Sequence, residues 1–336
     1  MTKWKSLLCA AAAALCAGAL LTGCVGGGSA CLAPQPPKTA SAQLKFAGRD
    51  VPLYEYCGAE LPALEGGDSC LAVTKDAIYG IQYMPEEKKY HLQKMRLKDG
   101  IITDVEDLGI VRDAPVTSDG TNIYYITRTD EIAMYNGKAA VMSAAPSTNI
   151  VRAVFGAADG YTSLRFLAGS DVMRGTLSKE GLKDAKTVLS KDVFGALSNN
   201  HSETEENHAF LIWADRDGFY VSTIATHGGM DKDEITPLHF YDPGGRKIRT
   251  FACNMDLPSD AEKYPQGERS AIVTRDYVVF YGQGYMRAFA KADGKHVGDV
   301  ALTLDDRKLS PSGAAADDTN NIYFIHDKTH IYRIDL

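Results

Sequence analysis

Hydrophobic and polar positions alternate along most of the chain beyond residue 43, in short runs separated by polar turns. One element recurs, in which a polar turn that contains Asp leads into a β-branched and aromatic run. Copies of this element lie at Val73–Tyr79, Val116–Tyr125, Asp159–Tyr161, Asp217–Tyr220, Arg275–Val279 and Asp318–Tyr323. Each copy is followed by a strand, a Gly turn and another strand, as around Lys98-Asp99-Gly100. Alternation predicts strands, and Asp-Gly or Asn-Gly turns between alternating runs predict hairpins.

The recurrence of this unit predicts an all-β fold, a β-propeller with six four-stranded blades. Seven blades is the alternative if the long fourth unit contains another blade, whereas a β-sandwich would not explain the recurrence. The last unit supplies three strands, in Gly313–Asp317, Ile322–His326 and His330–Leu336. An incomplete blade would expose a sheet edge. We therefore expect Gln43–Tyr56, which precedes the first unit, to add the N-terminal strand that joins the C-terminal blade and closes the ring.

The N-terminus has the pattern of a signal peptide. Lys3 and Lys5 precede an apolar stretch, Leu7–Leu21, which as a helix would span about 22 Å, short of the roughly 30 Å hydrocarbon core. The stretch ends in Leu21-Thr22-Gly23-Cys24, which resembles the lipobox of bacterial lipoproteins. That resemblance implies cleavage between Gly23 and Cys24 and acylation of Cys24, with palmitate-type chains. The alternative is an ordinary signal peptide in which Cys24 is incidental.

These features divide the chain into a signal peptide (residues 1–23), a lipidated Cys with a flexible Gly/Pro tether (24–42) and the propeller (43–336). The lipobox resemblance implies an extracytoplasmic protein held on a bacterial membrane by its lipid anchor. Val25, rather than Asp, after the cysteine is similar to the outer-membrane sorting pattern of Gram-negative bacteria. No later stretch has the roughly 20 apolar residues that a spanning helix needs.

Charge and cysteine content restrict the partners and the chemistry. The formal charge of −7 becomes −9 once the two signal-peptide lysines are removed, and no basic cluster indicates nucleic-acid binding. The cysteines beyond Cys24 are Cys31, Cys57, Cys70 and Cys253. A Cys57–Cys70 disulfide closing a short loop is the preferred pairing, and buried thiols are the alternative. No Cys-x-x-Cys supports redox chemistry or a zinc ribbon.

The fifth unit carries a second resemblance. Tyr277–Tyr281 followed by Met286–Lys295 resembles the PQQ-like repeats of quinoprotein-type propellers. Such repeats occur in cofactor-binding dehydrogenases and in cofactor-free envelope lipoproteins that act as assembly scaffolds. The tryptophan that usually ends the repeat is replaced here by Val297 and Gly298, so neither bound quinone nor another cofactor is expected.

The long connections predict a binding face. Tyr83–Lys89, Ala196–Asn207, Thr226–Ile235 and Asn254–Arg269 all fall where a propeller places the connections of one face. The last three carry charges of −3, −2 and −2, together −7. They form either an acidic rim for a cationic partner or solvated loops that keep the protein soluble. The candidate binding-face residues are Glu203, Glu205, Glu206, His227, Asp231, Asp233, Glu234 and Tyr264.

Known catalytic and metal-binding patterns are absent from the sequence. His227–Glu234 lacks the ligand spacing of an EF-hand, and neither a Gly-x-Ser-x-Gly elbow nor a phosphate-binding loop occurs. We therefore predict no metal and no catalytic residue. The favoured hypothesis is a monomeric, non-enzymatic binding or scaffold propeller that meets an envelope protein or glycan. The alternative is an extracytoplasmic hydrolase or lyase with its active site at the central channel.

Overall fold

The computed structural model describes residues 33–336 except segments 67–69, 113–115, 130, 139, 144–149, 159–160, 169–170, 179–180, 191–206, 216, 226–237, 253–269 and 283. The described residues form β-strands joined by turns and loops. Among them, no helix is long and apolar enough to cross a membrane.

The strands form consecutive antiparallel sheets. The chain begins with β1 (Ala42–Phe46) and β2 (Arg49–Tyr56). Sheet 1 contains β3 (Leu71–Thr74), β4 (Ala77–Met84), β5 (Lys89–Lys98) and β6 (Ile101–Val111). Sheet 2 contains β7 (Thr117–Ser118), β8 (Ile123–Ile126), β9 (Ile132–Tyr135) and β10 (Ala140–Ser143). Sheet 3 contains β11 (Ile150–Ala158), β12 (Tyr161–Ala168), β13 (Asp171–Ser178) and β14 (Gly181–Leu189).

The remaining strands follow the same order. Sheet 4 contains β15 (Asn207–Asp215), β16 (Gly218–Ala225), β17 (Leu238–Tyr241) and β18 (Lys247–Phe251). Sheet 5 contains β19 (Ser270–Val273), β20 (Tyr277–Gly282), β21 (Tyr285–Ala290) and β22 (His296–Ala301). A small hairpin pairs β23 (Thr303–Leu304) with β24 (Arg307–Lys308). The closing sheet joins β1 and β2 to β25 (Gly313–Ala316), β26 (Asn321–His326) and β27 (His330–Asp335).

The first strands of the sheets form a closed ring. β3 contacts β7, β7 contacts β11, and the series continues through β15, β19 and β25 back to β3. Each of the five four-stranded sheets then extends outward in chain order, and the closing sheet runs β25, β26, β27, β2, β1. This arrangement is a β-propeller, which confirms the all-β propeller prediction.

Burial follows from the stacking of neighbouring sheets. Inner strands such as β3 and β26 are buried on both sides, whereas the outer strand β6 is largely exposed. Apolar side chains from adjacent sheets form shared cores: Leu53 and Phe324 of the closing sheet, for example, belong to one cluster with Met286 of sheet 5. Strands that lie between two other sheets are therefore buried on both faces, which strict alternation of hydrophobic and polar positions does not predict.

The N-terminal segment closes the ring as predicted, but with two strands instead of one. β2 pairs with β27, with Leu53 opposite Ile334, and β1 pairs with the outer side of β2. Ala47 and Gly48 both have positive φ and fold the segment into a tight hairpin. The prediction of six four-stranded blades is wrong in this respect: the described chain has five four-stranded sheets and a closing sheet of five strands.

Part of the predicted flexible tether is packed against the ring. The segment Ala33–Pro37, here called the strap, is described by the structure, and Pro34 within it is buried. Arg333 of β27 donates a hydrogen bond to the carbonyl of Pro34. The predicted tether, residues 24–42, therefore contacts the propeller before its end at Ala42, because the buried guanidinium of Arg333 binds its backbone at Pro34.

The preferred Cys57–Cys70 disulfide is not formed in the structure. The Cys57 sulfur lies 3.8 Å from the carbonyl oxygen of Glu55, and the Cys70 sulfur lies 3.5 Å from that of Gly66. The backbone at Cys57 is bonded to Ile102, whereas the backbone at Cys70 is bonded to Ile81. Each thiol is thus directed to its own segment rather than to the other. Cys24, Cys31 and Cys253 lie outside the described residues.

The recurring polar turn has a defined structure where its side chains are described. The Asp317 carboxylate accepts hydrogen bonds from the Asn321 amide, at 2.8 Å, and from the Tyr323 hydroxyl, at 2.8 Å. In sheet 2, Asp119 accepts from the Tyr124 hydroxyl at 2.7 Å. In these two sheets the Asp and Tyr of the repeat are therefore structural, because the carboxylate ties the turn to the aromatic residue of the following strand.

Candidate functional site

Small and apolar side chains from the first strands of four sheets line a cavity at the centre of the ring. Its lining residues are Leu71, Ala72, Val73, Val116, Thr117, Ser118, Trp213, Ala314, Ala315 and Ala316. They leave a cavity of about 10 Å³, room for about one water molecule. Sites for small molecules usually occupy at least about 300 Å³. The cavity between these described inner-strand residues is therefore too small for a ligand of that kind.

Trp213 reaches the axis because β15 is irregular. The pairing of β15 with β16 shifts between Leu211 and Trp213. Leu211 and Ala214 pack on the sheet 3 side, whereas Ile212 and Trp213 face sheet 5. A bulge of this kind redirects side chains that would otherwise alternate. Strand alternation alone does not reveal the position of this indole, and the sequence analysis did not place it at the axis.

An active site at the axis would need converging acidic or basic side chains. The described axial residues are hydrocarbon side chains apart from the hydroxyls of Thr117 and Ser118 and the indole of Trp213. Within the described part of the chain, no group of three or more His, Cys, Asp or Glu residues could hold a metal ion. These side chains pack against one another and supply no group for proton transfer at neutral pH.

The two ends of the ring differ in their connections. One end, here called the turn face, carries the turns that follow the first and third strands of each sheet. Turns of neighbouring sheets contact each other there, since Asn320 of the closing sheet donates a hydrogen bond to Asp276 of sheet 5 at 2.7 Å. Lys291 of sheet 5 likewise donates to Asp215 of sheet 4 at 2.7 Å. The other end, the loop face, is where second and fourth strands end. The strands that flank 191–206, 226–237 and 253–269 end at this face.

The candidate binding residues fall in those three segments. Glu203, Glu205, Glu206, His227, Asp231, Asp233, Glu234 and Tyr264 all lie outside the described residues. The flanking strands agree with the expectation that the acidic segments leave the ring on one face. The acidic rim itself stays a prediction.

The fourth predicted long connection, Tyr83–Lys89, is a tight hairpin. β4 continues to Met84 and β5 begins at Lys89. Glu87 lies 3.5 Å from the ammonium nitrogen of Lys89 and 3.5 Å from Nε2 of His91. Because the Lys89 ammonium group lies beside the Glu87 carboxylate, this hairpin does not extend the acidic rim.

A histidine-aromatic cluster lies on the loop face of the closing sheet. The rings of His326, His330 and Tyr332 lie 6.2–6.3 Å apart. Nδ1 of His330 is 2.8 Å from the Glu55 carboxylate. Burial, with the nearby Glu55 carboxylate, raises the pKa of the Tyr332 phenol to about 12. No sequence pattern reveals this cluster, because Glu55 and His330 are 275 positions apart and meet only through ring closure.

The tautomer of His326 follows from its neighbours. The backbone N–H of Ser310 lies 3.1 Å from Nδ1, which must therefore be the accepting nitrogen. Nε2 then carries the proton and faces the Asp327 carboxylate at 3.2 Å. The cluster presents a half-exposed imidazole, His330, beside buried rings, so it is a polar contact point and not an enclosed pocket.

Solved structures share this architecture. A structural genomics protein of unknown function from Bacteroides thetaiotaomicron is 11% identical, with a TM-score of 0.52 over 87% of this chain and 75% of that one. A streptogramin B lyase structure is 12% identical, with a TM-score of 0.47 over 89% of this chain and 100% of the other. BamB from Moraxella catarrhalis is 10% identical, with a TM-score of 0.40 over 91% of this chain and 94% of that chain.

The chain matches no protein-family model and no curated protein. At these identities, the likeness to solved structures shows the propeller fold alone. The ring of sheets itself confirms the propeller fold that the resemblance implied, and the function must be argued from the residues of this chain.

Proposed function

We propose that the protein is a bacterial lipoprotein whose propeller is a non-enzymatic binding scaffold for an envelope protein or glycan. In this proposal residues 1–23 are removed, Cys24 carries the lipid, and the ring lies outside the cytoplasm on a membrane surface, the outer membrane in a Gram-negative cell. The lipobox residues Leu21-Thr22-Gly23-Cys24 support the anchor. We count the closing sheet and the five four-stranded sheets as six blades.

The observation that carries the scaffold proposal is the packed axis. Propeller enzymes that work in the central channel need space and converging polar groups there, and the described axis offers a cavity of about 10 Å³ lined mainly by Ala, Val and Leu. A centre with so little space among its described residues leaves the two faces of the ring for partners. This favours face binding over the hydrolase or lyase alternative.

The loop face is the binding face in this proposal. Three of its connections carry most of the negative charge of the mature chain, so the partner presents cationic groups. Rim charges act chiefly on the association rate and on its salt dependence. Binding should therefore weaken as ionic strength rises.

Membrane fractionation tests the anchor. Cys24→Ser should release the protein from membranes and abolish labelling by a palmitate analogue, because two or more acyl chains are needed for stable attachment. Cys31→Ser is the matched control and should remain membrane-bound. Membrane attachment of the Cys24→Ser protein would refute lipidation as the anchor.

Charge removal tests the binding face. The triple variant Glu203→Gln, Glu205→Gln, Glu206→Gln should reduce the yield of proteins crosslinked to the chain in intact envelopes about tenfold. The control removes three exposed carboxylates elsewhere, with Asp50→Asn, Asp104→Asn and Asp293→Asn, and should keep the wild-type pattern. Equal crosslinking by both triple variants would count against the acidic loop as the docking surface.

A further inference from the structure

We propose that the groove between the closing sheet and sheet 1 is a binding site for a proline-rich segment, and that its ligand is the chain's own strap, Ala33–Pro37. The strap reads Ala33-Pro34-Gln35-Pro36-Pro37. It precedes β1 and is not needed to pair any strand, since β2 already joins the two ends of the chain. Its packing against the ring therefore needs a separate explanation.

Hydrogen-bond donors in the groove match the chemistry of the strap. Proline has no backbone N–H, so a proline-rich segment offers mainly carbonyl acceptors. Nη1 of Arg333 donates to the Pro34 carbonyl at 2.5 Å, and the Tyr56 hydroxyl donates to the Gln35 carbonyl at 3.3 Å. Both contacts use only the strap backbone, which any proline-rich sequence would present.

The closing sheet fixes the orientation of the Arg333 side chain. This side chain is only 7% exposed, and its Nε and Nη2 donate to the two oxygens of Asp335. Nη1 also donates to the Tyr323 hydroxyl at 3.2 Å. Because Asp335 fixes the guanidinium in its plane, the remaining donor points to the strap without loss of side-chain freedom on binding.

The shape of the groove also matches the strap. The rings of Tyr56 and Tyr323 stack at 6.3 Å, and aromatic-lined grooves are the usual receptors of proline-rich segments. Gly100, in the turn between β5 and β6, completes the opposite wall. A Cβ on Gly100 would lie 2.3 Å from the Pro36 carbonyl oxygen, so the absence of a side chain makes room for the strap.

Strap binding sets the reach of the ring, a consequence that rests on the proposed anchor at Cys24. Between Cys24 and Ala33 the fully extended chain spans at most about 30 Å. Release of the strap as far as Ala42 would double this to about 60 Å. The bound strap thus keeps the ring closer to the membrane than the predicted flexible tether would.

Trypsin digestion of the purified full chain tests the site. Lys38 is the only Lys or Arg between Cys24 and Leu44, so cleavage after Lys38 reports on strap release. The added methyl group of Gly100→Ala should displace the strap and break its charge-assisted hydrogen bond to Arg333. Cleavage after Lys38 should therefore become about tenfold faster. The control is Gly137→Ala, which has a similar φ of +84° in the equivalent turn of sheet 2 but meets nothing within 4 Å.

A second pair of variants tests the ligand class and leaves the ring unchanged. Replacing Pro34, Pro36 and Pro37 together with Ala should also speed cleavage after Lys38, because the unbound strap becomes more flexible. Gln35→Ala should not, because the Gln35 side chain is exposed and only its carbonyl is used. Equal cleavage of Gly100→Ala and Gly137→Ala, or of the proline variant and Gln35→Ala, would overturn the proposal. The Cys24→Ser protein should show the same protease pattern, so strap binding and lipid anchoring can fail independently.

Discussion

The closing sheet and sheet 4 come from the same repeat but satisfy their buried polar groups differently. In the closing sheet, the buried Tyr323 hydroxyl donates to Asp317 and accepts from Arg333. In sheet 4, the hydroxyls of Tyr220 and Tyr241 and Nε2 of His239 are buried without a hydrogen-bond partner among the described residues. The repeat therefore fixes the strands, and neighbouring sheets decide where the polar groups bond.

The turn aspartate of sheet 4 shows how the difference arises. Asp215 occupies the position that Asp119 occupies in sheet 2, five residues before a buried tyrosine. Its carboxylate is bound by Lys291 of sheet 5 at 2.7 Å. The other oxygen of Asp215 accepts from the backbone N–H groups of Asp217 and Gly218 within the turn, and the Tyr220 hydroxyl is left without a hydrogen bond. A buried polar group without a partner costs about 1–3 kcal/mol.

The largest effect is expected at the paired turn. Asp317→Ala removes the acceptor of the Asn321 amide and of the buried Tyr323 hydroxyl. Because the Tyr323 hydroxyl stays buried and the Asn321 amide half-buried, the free energy of unfolding should fall by about 3 kcal/mol. Urea denaturation measures the loss, and Asp104→Ala, a half-exposed carboxylate in sheet 1, should cost less than about 0.5 kcal/mol. Similar losses in the two variants would show that the turn network contributes little.

Sheet 4 should make stability depend on pH. Burial, assisted by the positive charge of Lys247, lowers the pKa of His239 to about 4. Below the unfolded pKa of about 6.5, His239 binds a proton in the unfolded chain but not in the folded chain. The free energy of unfolding therefore falls as pH drops from 6.5 to 4, and the full contribution of His239 to stability is present above pH 6.5. Allowing for partial solvation, the loss between pH 7 and pH 4.5 should be about 2 kcal/mol.

Substitution of the imidazole isolates this contribution from the other titrating groups. His239→Gln keeps a polar side chain opposite Thr250 but cannot take up a proton. The difference in urea stability between pH 7 and pH 4.5 should shrink by about 2 kcal/mol in this variant. An unchanged pH dependence would mean that His239 is protonated in the folded chain.

Local patterns predicted the fold because they act within one unit of the repeat. The β-branched and aromatic run Ile322–His326 specifies a strand, and the turn at Asp99-Gly100 specifies a hairpin, each from neighbouring residues. Ring closure was predictable from the missing fourth strand of the last unit. The hairpin at Ala47-Gly48 was not, because Ala lacks the preference for positive φ that marks such turns.

Contacts between units were not predictable from these patterns. The strap and Arg333, Glu55 and His330, and Asp215 and Lys291 meet only once the ring is closed. Their residue types are ordinary for surface positions, and their spacing in the chain carries no period. The bulge that turns Trp213 towards the axis also depends on how β15 packs between two sheets.

The smallest expected effect separates the two ways of pairing the sheet 4 turn. Lys291→Met removes the ion pair to Asp215, but it also frees that carboxylate for the nearby Tyr220 hydroxyl, so the net loss should be about 0.5 kcal/mol. In a Tyr220→Phe background no hydroxyl can take the place of the ammonium group, and the same substitution should cost about 1 kcal/mol. Tyr220→Phe alone should leave stability unchanged or raise it slightly, because it removes an unpaired buried hydroxyl. Urea denaturation of the four proteins in this double-mutant cycle gives the coupling, and strict additivity would show that Tyr220 does not compete with Lys291 for Asp215.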